Sequence, residues 1–422
     1  MFPAAEFEPT LAAAMARIAA VRPGDYARTR NHLDGAVTQL SPYITHGFVS
    51  LPQVLVGVRN KYAIDAEHKF VFELGWREFF AHVWQTRGDG IFESLHEGVL
   101  PEAAYARELP ADIRHGATGV PVVDCAVRQL YATGYLHNHV RMWLASYVVH
   151  LRKVHWRAGA DWLYAHLLDG DLASNHLSWQ WIAATGSHKP YLFNAANVER
   201  YAPPAWHSKG SVIDTDYETL DAFARNAQAV HLPCKHAESI AEPECHSTPP
   251  PELALNWVSE SKLPAHPWLI HPWALRAPPP GRIAVGVFVA AFHARWPWSL
   301  ARWQFVAQRM AALCDSCVWL EGPLPKGTAA IDDLHLRPHW QLPEPTPVPQ
   351  LFAQPDRACD SFTQFYKRVS GSLQVGPARQ LATQRKPPTK ASGPPQLQKL
   401  RMKAGKSHIA FGPGFGSRPS VS

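Results

Sequence analysis

The 422-residue chain has no run of about 18 apolar residues, which excludes a membrane-spanning helix of ordinary length. Its first residues, "MFPAAEFEPT", have neither a basic stretch nor an apolar core of the secretory kind, so a cytoplasmic protein is expected. Cysteine is scarce: six in the whole chain, scattered at 125, 234, 245, 314, 317 and 359, which argues against a disulfide framework and suits a reducing compartment. Cys314 and Cys317 form one C-x-x-C, and Cys234, His236, Cys245 and His246 could supply further ligands; idle or buried thiols satisfy the same spacing, and no metal is expected. Acidic residues are absent from the C-terminal stretch. Residues 377–422 hold nine Lys and Arg and no Asp or Glu, whereas residues 1–210 balance at 19 of each sign and residues 211–376 hold 13 basic against 16 acidic. The net charge of +6 therefore belongs to the tail and says nothing about nucleic-acid binding by the folded part.

What is present is helical amphipathicity. "TLAAAMARIAAV", "HKFVFELGWREFFAHVWQ", "VPVVDCAVRQLYATG", "NHVRMWLASYVVHLRKV" and "GADWLYAHLLD" place apolar residues at i, i+3, i+4 and i+7 between Gly and Pro breaks. Residues 1–205 read as an all-helical domain and 206–280 as a Pro- and His-rich connection. Residues 281–370 read as a small α/β module, with "RIAVGVFVAAF" and "CVWLEG" as strands around a helix in "SLARWQFVAQRMAALC" opened by Ser299. Residues 371–422, poor in aromatics and rich in Pro and Lys, read as a disordered basic tail. The fold class expected is thus mainly α, with a strand-helix-strand appendage.

Chemistry concentrates in "DGDLASNHLSWQW" (169–181), where two carboxylates flank a glycine after an apolar helix. Buried there, Asp169 and Asp171 need cationic or hydrogen-bonding partners, and Arg141 is the candidate. Glu73, Trp76 and Arg77 share one helix face by their spacing, as do Asn138, Arg141 and Met142. In "TQLSPYITHG", the hydroxyls of Thr38 and Ser41 precede a proline-fixed helix start, a fair place for phosphate. Each motif alone is compatible with ordinary packing and capping.

Taken together, "TQLSPYITHG" (38–47), "ELGWREFFAH" (73–82), "TGVPVVDCAVRQLYATGYLHN" (118–138), "RMWLAS" (141–146) and "DGDLASNHLSWQW" closely resemble the FAD-binding domain of DNA photolyases and cryptochromes, over roughly residues 24–195. The resemblance implies that Tyr26, Thr38, Leu40 and Ser41 meet the FAD phosphates. It places Arg77, Asn138, Arg141, Asp169, Asp171 and Asn175 around the isoalloxazine and adenine. Matched to enzymes acting on cyclobutane pyrimidine dimers, Glu73, Trp76, Asn138, Met142 and Trp181 would receive a flipped dimer, with Trp76 and Trp181 as stacking walls. Glu73 and Asn175 would act in catalysis with reduced FADH−, and Trp179 and Trp156 would carry electrons toward the surface. The third carrier is open among Tyr105, Trp143 and Trp162.

The family's antenna domain does not precede these motifs here, so no second chromophore is expected, and only fragments of the usual ending follow Trp181. The expected function is light-dependent repair of UV-damaged DNA by a monomer. The alternatives are a blue-light photoreceptor that binds FAD without repair and a helical binding protein without flavin chemistry.

Overall fold

The computed structural model describes residues 7–230, 238–324 and 326–373. Cys234 and His236, and the basic tail from residue 374 onward, lie outside the described residues. The helices fall where the periodicity places them: Leu11–Ala20, Leu51–Arg59, Lys69–Arg87, Pro121–Thr133, Asn138–Ser146, Trp156–His166 and Leu172–Ala183. Local chemistry sets their ends. Thr10 caps the first by accepting the amide of Ala13, Ser50 and Gln53 form a capping box, and Gly134 closes Pro121–Thr133 in the left-handed region at φ 63°. The stretch after Ser146 continues as a π-helical turn, Tyr147–Leu151. Among the described residues no helix is long and apolar enough to cross a membrane.

The C-terminal part is larger than a strand-helix-strand unit. Five strands, β1 (Trp268–Ile270), β2 (Ala284–Val289), β3 (Cys317–Leu320), β4 (Ala329–Asp332) and β5 (Glu344–Pro347), form one parallel sheet in the order β3-β2-β1-β4-β5. The two expected strands are β2 and β3. The central strand, β1, lies inside the region read as a connection, because three residues between Pro267 and Pro272 are too short to show a period. β5 carries Pro345 and Pro347, which cannot donate to a ladder and are tolerated because β5 is an edge. Ser299 stands at the N-cap position of the Leu300–Ala311 helix, yet its buried hydroxyl makes no cap bond.

The order reverses between β1 and β4, which opens a crevice at their carboxyl ends. The sheet does not have a core of its own. Its residues share one core with the first helices: Phe305 packs against Phe48 and Tyr43 at ring distances of 5.4 and 5.9 Å. The buried residues of a second core run from 109 to 224, with Leu33, Val99, Tyr105 and Ile240 packed against them. The division at residue 205 expected from composition therefore does not coincide with a division of the cores.

Candidate functional site: a cavity with two carboxylate–arginine pairs

A cavity of about 320 Å³ opens between the Lys69–Arg87, Asn138–Ser146 and Leu172–Ala183 helices and the 37–41 loop. All ten residues expected to hold the cofactor line it: Tyr26, Thr38, Leu40, Ser41, Arg77, Asn138, Arg141, Asp169, Asp171 and Asn175. The Lys69–Arg87 helix contributes Glu73, Trp76, Arg77 and Phe80 from one face, as the i, i+3, i+4, i+7 spacing requires. The loop is shaped by Gln39, held at φ 50° while its side chain accepts a 2.7 Å bond from Arg17.

The two aspartates are held differently. Asp169 is buried, and Nη2 of Arg141 reaches both its oxygens, at 3.0 and 2.8 Å, while Nε of Arg141 donates to the carbonyl of Leu136 at 2.9 Å. The Ser41 hydroxyl also bonds this carboxylate, so a group expected to face phosphate is partly engaged inside the protein. Burial alone would raise the Asp169 carboxyl. Arg141, Ser41 and the charge of Arg77 outweigh it and leave the carboxyl below its ordinary range.

Asp171 is the N-cap of the Leu172–Ala183 helix, accepting the Ser174 amide at 2.8 Å, with Arg77 3.8 Å away. An aspartate just before an apolar helical run is an N-cap signal in the sequence itself, beside its need for a cationic partner. Burial raises this carboxyl too, and the charges of Arg77 and His335, with the Ser174 bonds, more than offset it. Asn175 donates its amide to the carbonyl of Ala160 at 2.8 Å, which fixes the plane of a side chain lining the cavity.

The residues expected to receive a base are not all brought together. Glu73, Trp76, Asn138 and Met142 line the cavity, and the Asn138 amide lies 3.6 Å from the Met142 sulfur. Trp181 does not line it. In a helix it sits 200° from Trp179, and it packs against Tyr191 at 5.9 Å while Trp179 faces the cavity. Trp76 has one face covered by Phe362, stacked at 3.9 Å and 9°. The expected pair of walls, Trp76 and Trp181, is therefore not formed around this cavity. The Glu73 carboxylate is already engaged by Lys69 at 2.7 Å and stands 3.4 Å from Arg30.

Trp179 packs against Gly159, where a Cβ would come within 2.4 Å of the indole. Trp156 is buried beside a separate cavity of about 410 Å³ and donates its indole N–H to Ser94 at 3.0 Å. From Trp156, aromatic rings continue through His155 (5.6 Å) to Tyr105 (6.3 Å). Trp143 and Trp162 pack elsewhere, against His139 and Tyr131.

The donor set suits a dinucleotide with a ring system. Arg30, Arg77 and Arg141 with the Thr38 and Ser41 hydroxyls match phosphate oxygens, and two aspartates and a carboxamide match polar ring edges. The buried indole N–H of Trp76 has no hydrogen-bond partner among the described residues, as expected of a site whose ligand completes it.

Residues 70–239, which carry the helices around this cavity, match the family described as the FAD binding domain of DNA photolyase. Over this segment the chain is similar to photolyases and to cryptochromes of the DASH type. It is 37% identical over 164 residues to a deoxyribodipyrimidine photo-lyase of Streptomyces griseus, covering 39% of this chain and 36% of that protein. It is 32% identical over 191 residues to a cryptochrome DASH of Idiomarina loihiensis, covering 43% and 42%. Among solved structures, a cryptochrome of Synechocystis sp. PCC6803 aligns at 30% identity and a TM-score of 0.42, covering 47% of this chain and 44% of that one. The chain thus spans between 34% and 45% of the length of the curated relatives it matches.

Proposed function

We propose that the protein is a light-driven DNA repair enzyme that splits cyclobutane pyrimidine dimers with reduced FAD in the 320 Å³ cavity. The observation that carries the reading is the convergence of ten separately positioned residues on one cavity, with Asp169 and Asp171 facing Arg141 and Arg77. Bound there, reduced flavin supplies the electron for ring opening; the protein binds, orients and excludes water. Thr38 and Ser41 hold phosphate, the two aspartates with Arg141 and Arg77 fix the ring system, and Asn175 meets it without adding charge. Glu73, held by Lys69, stands ready to bond the base edge. Trp179, Trp156 and, beyond His155, Tyr105 form the route by which the flavin is reduced.

A second reading, a cryptochrome-like photoreceptor, is favoured by one specific arrangement: Phe362 covers one face of Trp76, and Trp181 does not line the cavity, so two open stacking walls are not formed there. One experiment separates them. Purified, photoreduced protein is incubated with dimer-containing single- and double-stranded DNA, with and without blue light, and restored thymine is measured. Light-dependent restoration establishes repair. Bound, reducible FAD with no restoration on either substrate refutes it in favour of the photoreceptor.

A further inference from the structure

We infer that the C-terminal α/β module completes the flavin site from behind, with Arg302 and His335 as positioning residues for the Asp169–Gly170–Asp171 segment. The inference rests on the flavin reading of the cavity and concerns how its two carboxylates are held.

Three contacts cross to this segment. Arg302, on the Leu300–Ala311 helix, is fully buried; its Nη2 donates to the carbonyl of Gly170 at 2.6 Å and its Nη1 to the carbonyl of Tyr164 at 3.3 Å. Its guanidinium lies over the rings of Trp298 and Tyr164 at 4.1 and 4.7 Å, and it forms no ion pair among the described residues. A buried cation is costly unless charge faces it, and the nearby charges that favour it are those of Asp169 and Asp171. His335, just past β4, is held by Asp333 at 2.7 Å and stacked on Trp273 at 4.5 Å and 11°. Its Nε2 meets the amide of Leu172 at 3.3 Å and lies 3.8 Å from Asp171 Oδ2. His46 ties the same place to the module, bridging the carbonyls of Leu168 and Pro272 at 2.7 Å each.

The glycine between the aspartates follows from this. A Cβ at Gly170 would stand 2.5 Å from Arg302 Nη1 and 2.8 Å from the carbonyl oxygen of Tyr164. Gly170 is there because the arginine approaches so closely. Neither Arg302 nor His335 lines the flavin cavity, so neither touches the flavin; they act through backbone and carboxylate, by fixing where Asp169 and Asp171 point.

The test compares R302M, H335Q and G170A with M310A. Met310 is equally buried in the module and packs beneath Gly286, so M310A reports module destabilisation. Two measurements are made on full-length protein: FAD affinity by titration, and amide hydrogen exchange of residues 168–176 without flavin. R302M, H335Q and G170A are expected to weaken FAD on the order of tenfold or more and to speed exchange in that peptide. M310A is expected to lower the melting temperature with neither effect. Exchange and FAD affinity like those of M310A in all three variants overturn the inference. A wild-type protein that takes up no FAD, with exchange still accelerated by R302M, refutes the flavin reading and leaves the positioning role standing.

Discussion

Replacing Arg141 with methionine tests the electrostatic core of the site. The Asp169 side chain is 3% exposed and Arg141 reaches both its oxygens, so R141M strands a buried carboxylate. Breaking a buried pair from one side costs about 3–5 kcal/mol. The lower end applies here, because Arg141 is 23% exposed and the Ser41 hydroxyl remains bonded to Asp169. About 3 kcal/mol corresponds to a fall in unfolding midpoint on the order of 6–12 °C for a body of 150–250 residues. Adding D169N removes the stranded charge while keeping the shape, so R141M/D169N should recover most of the loss. The pH dependence has a definite sign. The Asp169 carboxyl is depressed in the fold, so its contribution is present above the unfolded value of about 3.9 and is lost as pH falls through the lower folded value. Wild type and R141M should differ most near neutrality and converge in acid. Urea unfolding of flavin-free protein at pH 7 and at about pH 2.5, below the unfolded value, measures this. R141M within about 0.5 kcal/mol of wild type at pH 7, or a double variant weaker than R141M alone, refutes the reasoning.

Glu78 should give the opposite slope: it accepts the amides of Leu351 and Phe352, the latter at 3.2 Å, and burial pushes its carboxyl up to about 7. Stability from this group is full below the unfolded value near 4.3 and is lost as pH rises through 7; about 2 kcal/mol of that loss falls between pH 5.5 and 8.5, and E78Q should abolish it in denaturation at those two pH values. F362A removes a ring that is 5% exposed, so it should cost about 3 kcal/mol and uncover Trp76. If Trp76 is a stacking wall, affinity for dimer-containing single-stranded DNA rises severalfold in F362A; unchanged affinity means that the base stacks elsewhere.

Much of the cavity was legible because its residues lie on helices whose period is set by local sequence. Glu73, Trp76 and Arg77 share a face for the same reason that Trp179 and Trp181 do not, and the second half of that argument excludes Trp181 from the cavity. Contacts across more than a hundred residues were not legible. Phe362 reaches Trp76 from a short helix far along the chain, and β1 hides among prolines. Arg302 did leave a trace. With Val306 and Met310 it lies at i, i+4 and i+8 on a face that is otherwise apolar and buried, and a lone arginine there needs carbonyls or carboxylates to meet it.

The shared core has a consequence for how the flavin site can be studied. Leu168, Leu172 and Leu177, which flank the two aspartates, are buried in the same cluster as Trp298, Trp303 and Phe305 of the module. The Arg77–Asp171 pair stands between the flavin cavity and a second cavity of about 640 Å³, which is walled by Trp273, Arg276 and His335 at the carboxyl ends of β1 and β4. Removing the module would therefore expose one side of that pair to water and leave Leu172 and Leu177 without their packing. In water the attraction between Arg77 and Asp171, 3.8 Å apart, falls to about 1 kcal/mol, too little to hold a carboxylate in one orientation. The matched segment 70–239 carries six of the ten residues expected to hold the flavin, yet the rigidity of its two aspartates is supplied by residues 268–340. A fragment ending before β1 should keep its helices and lose its grip on the flavin.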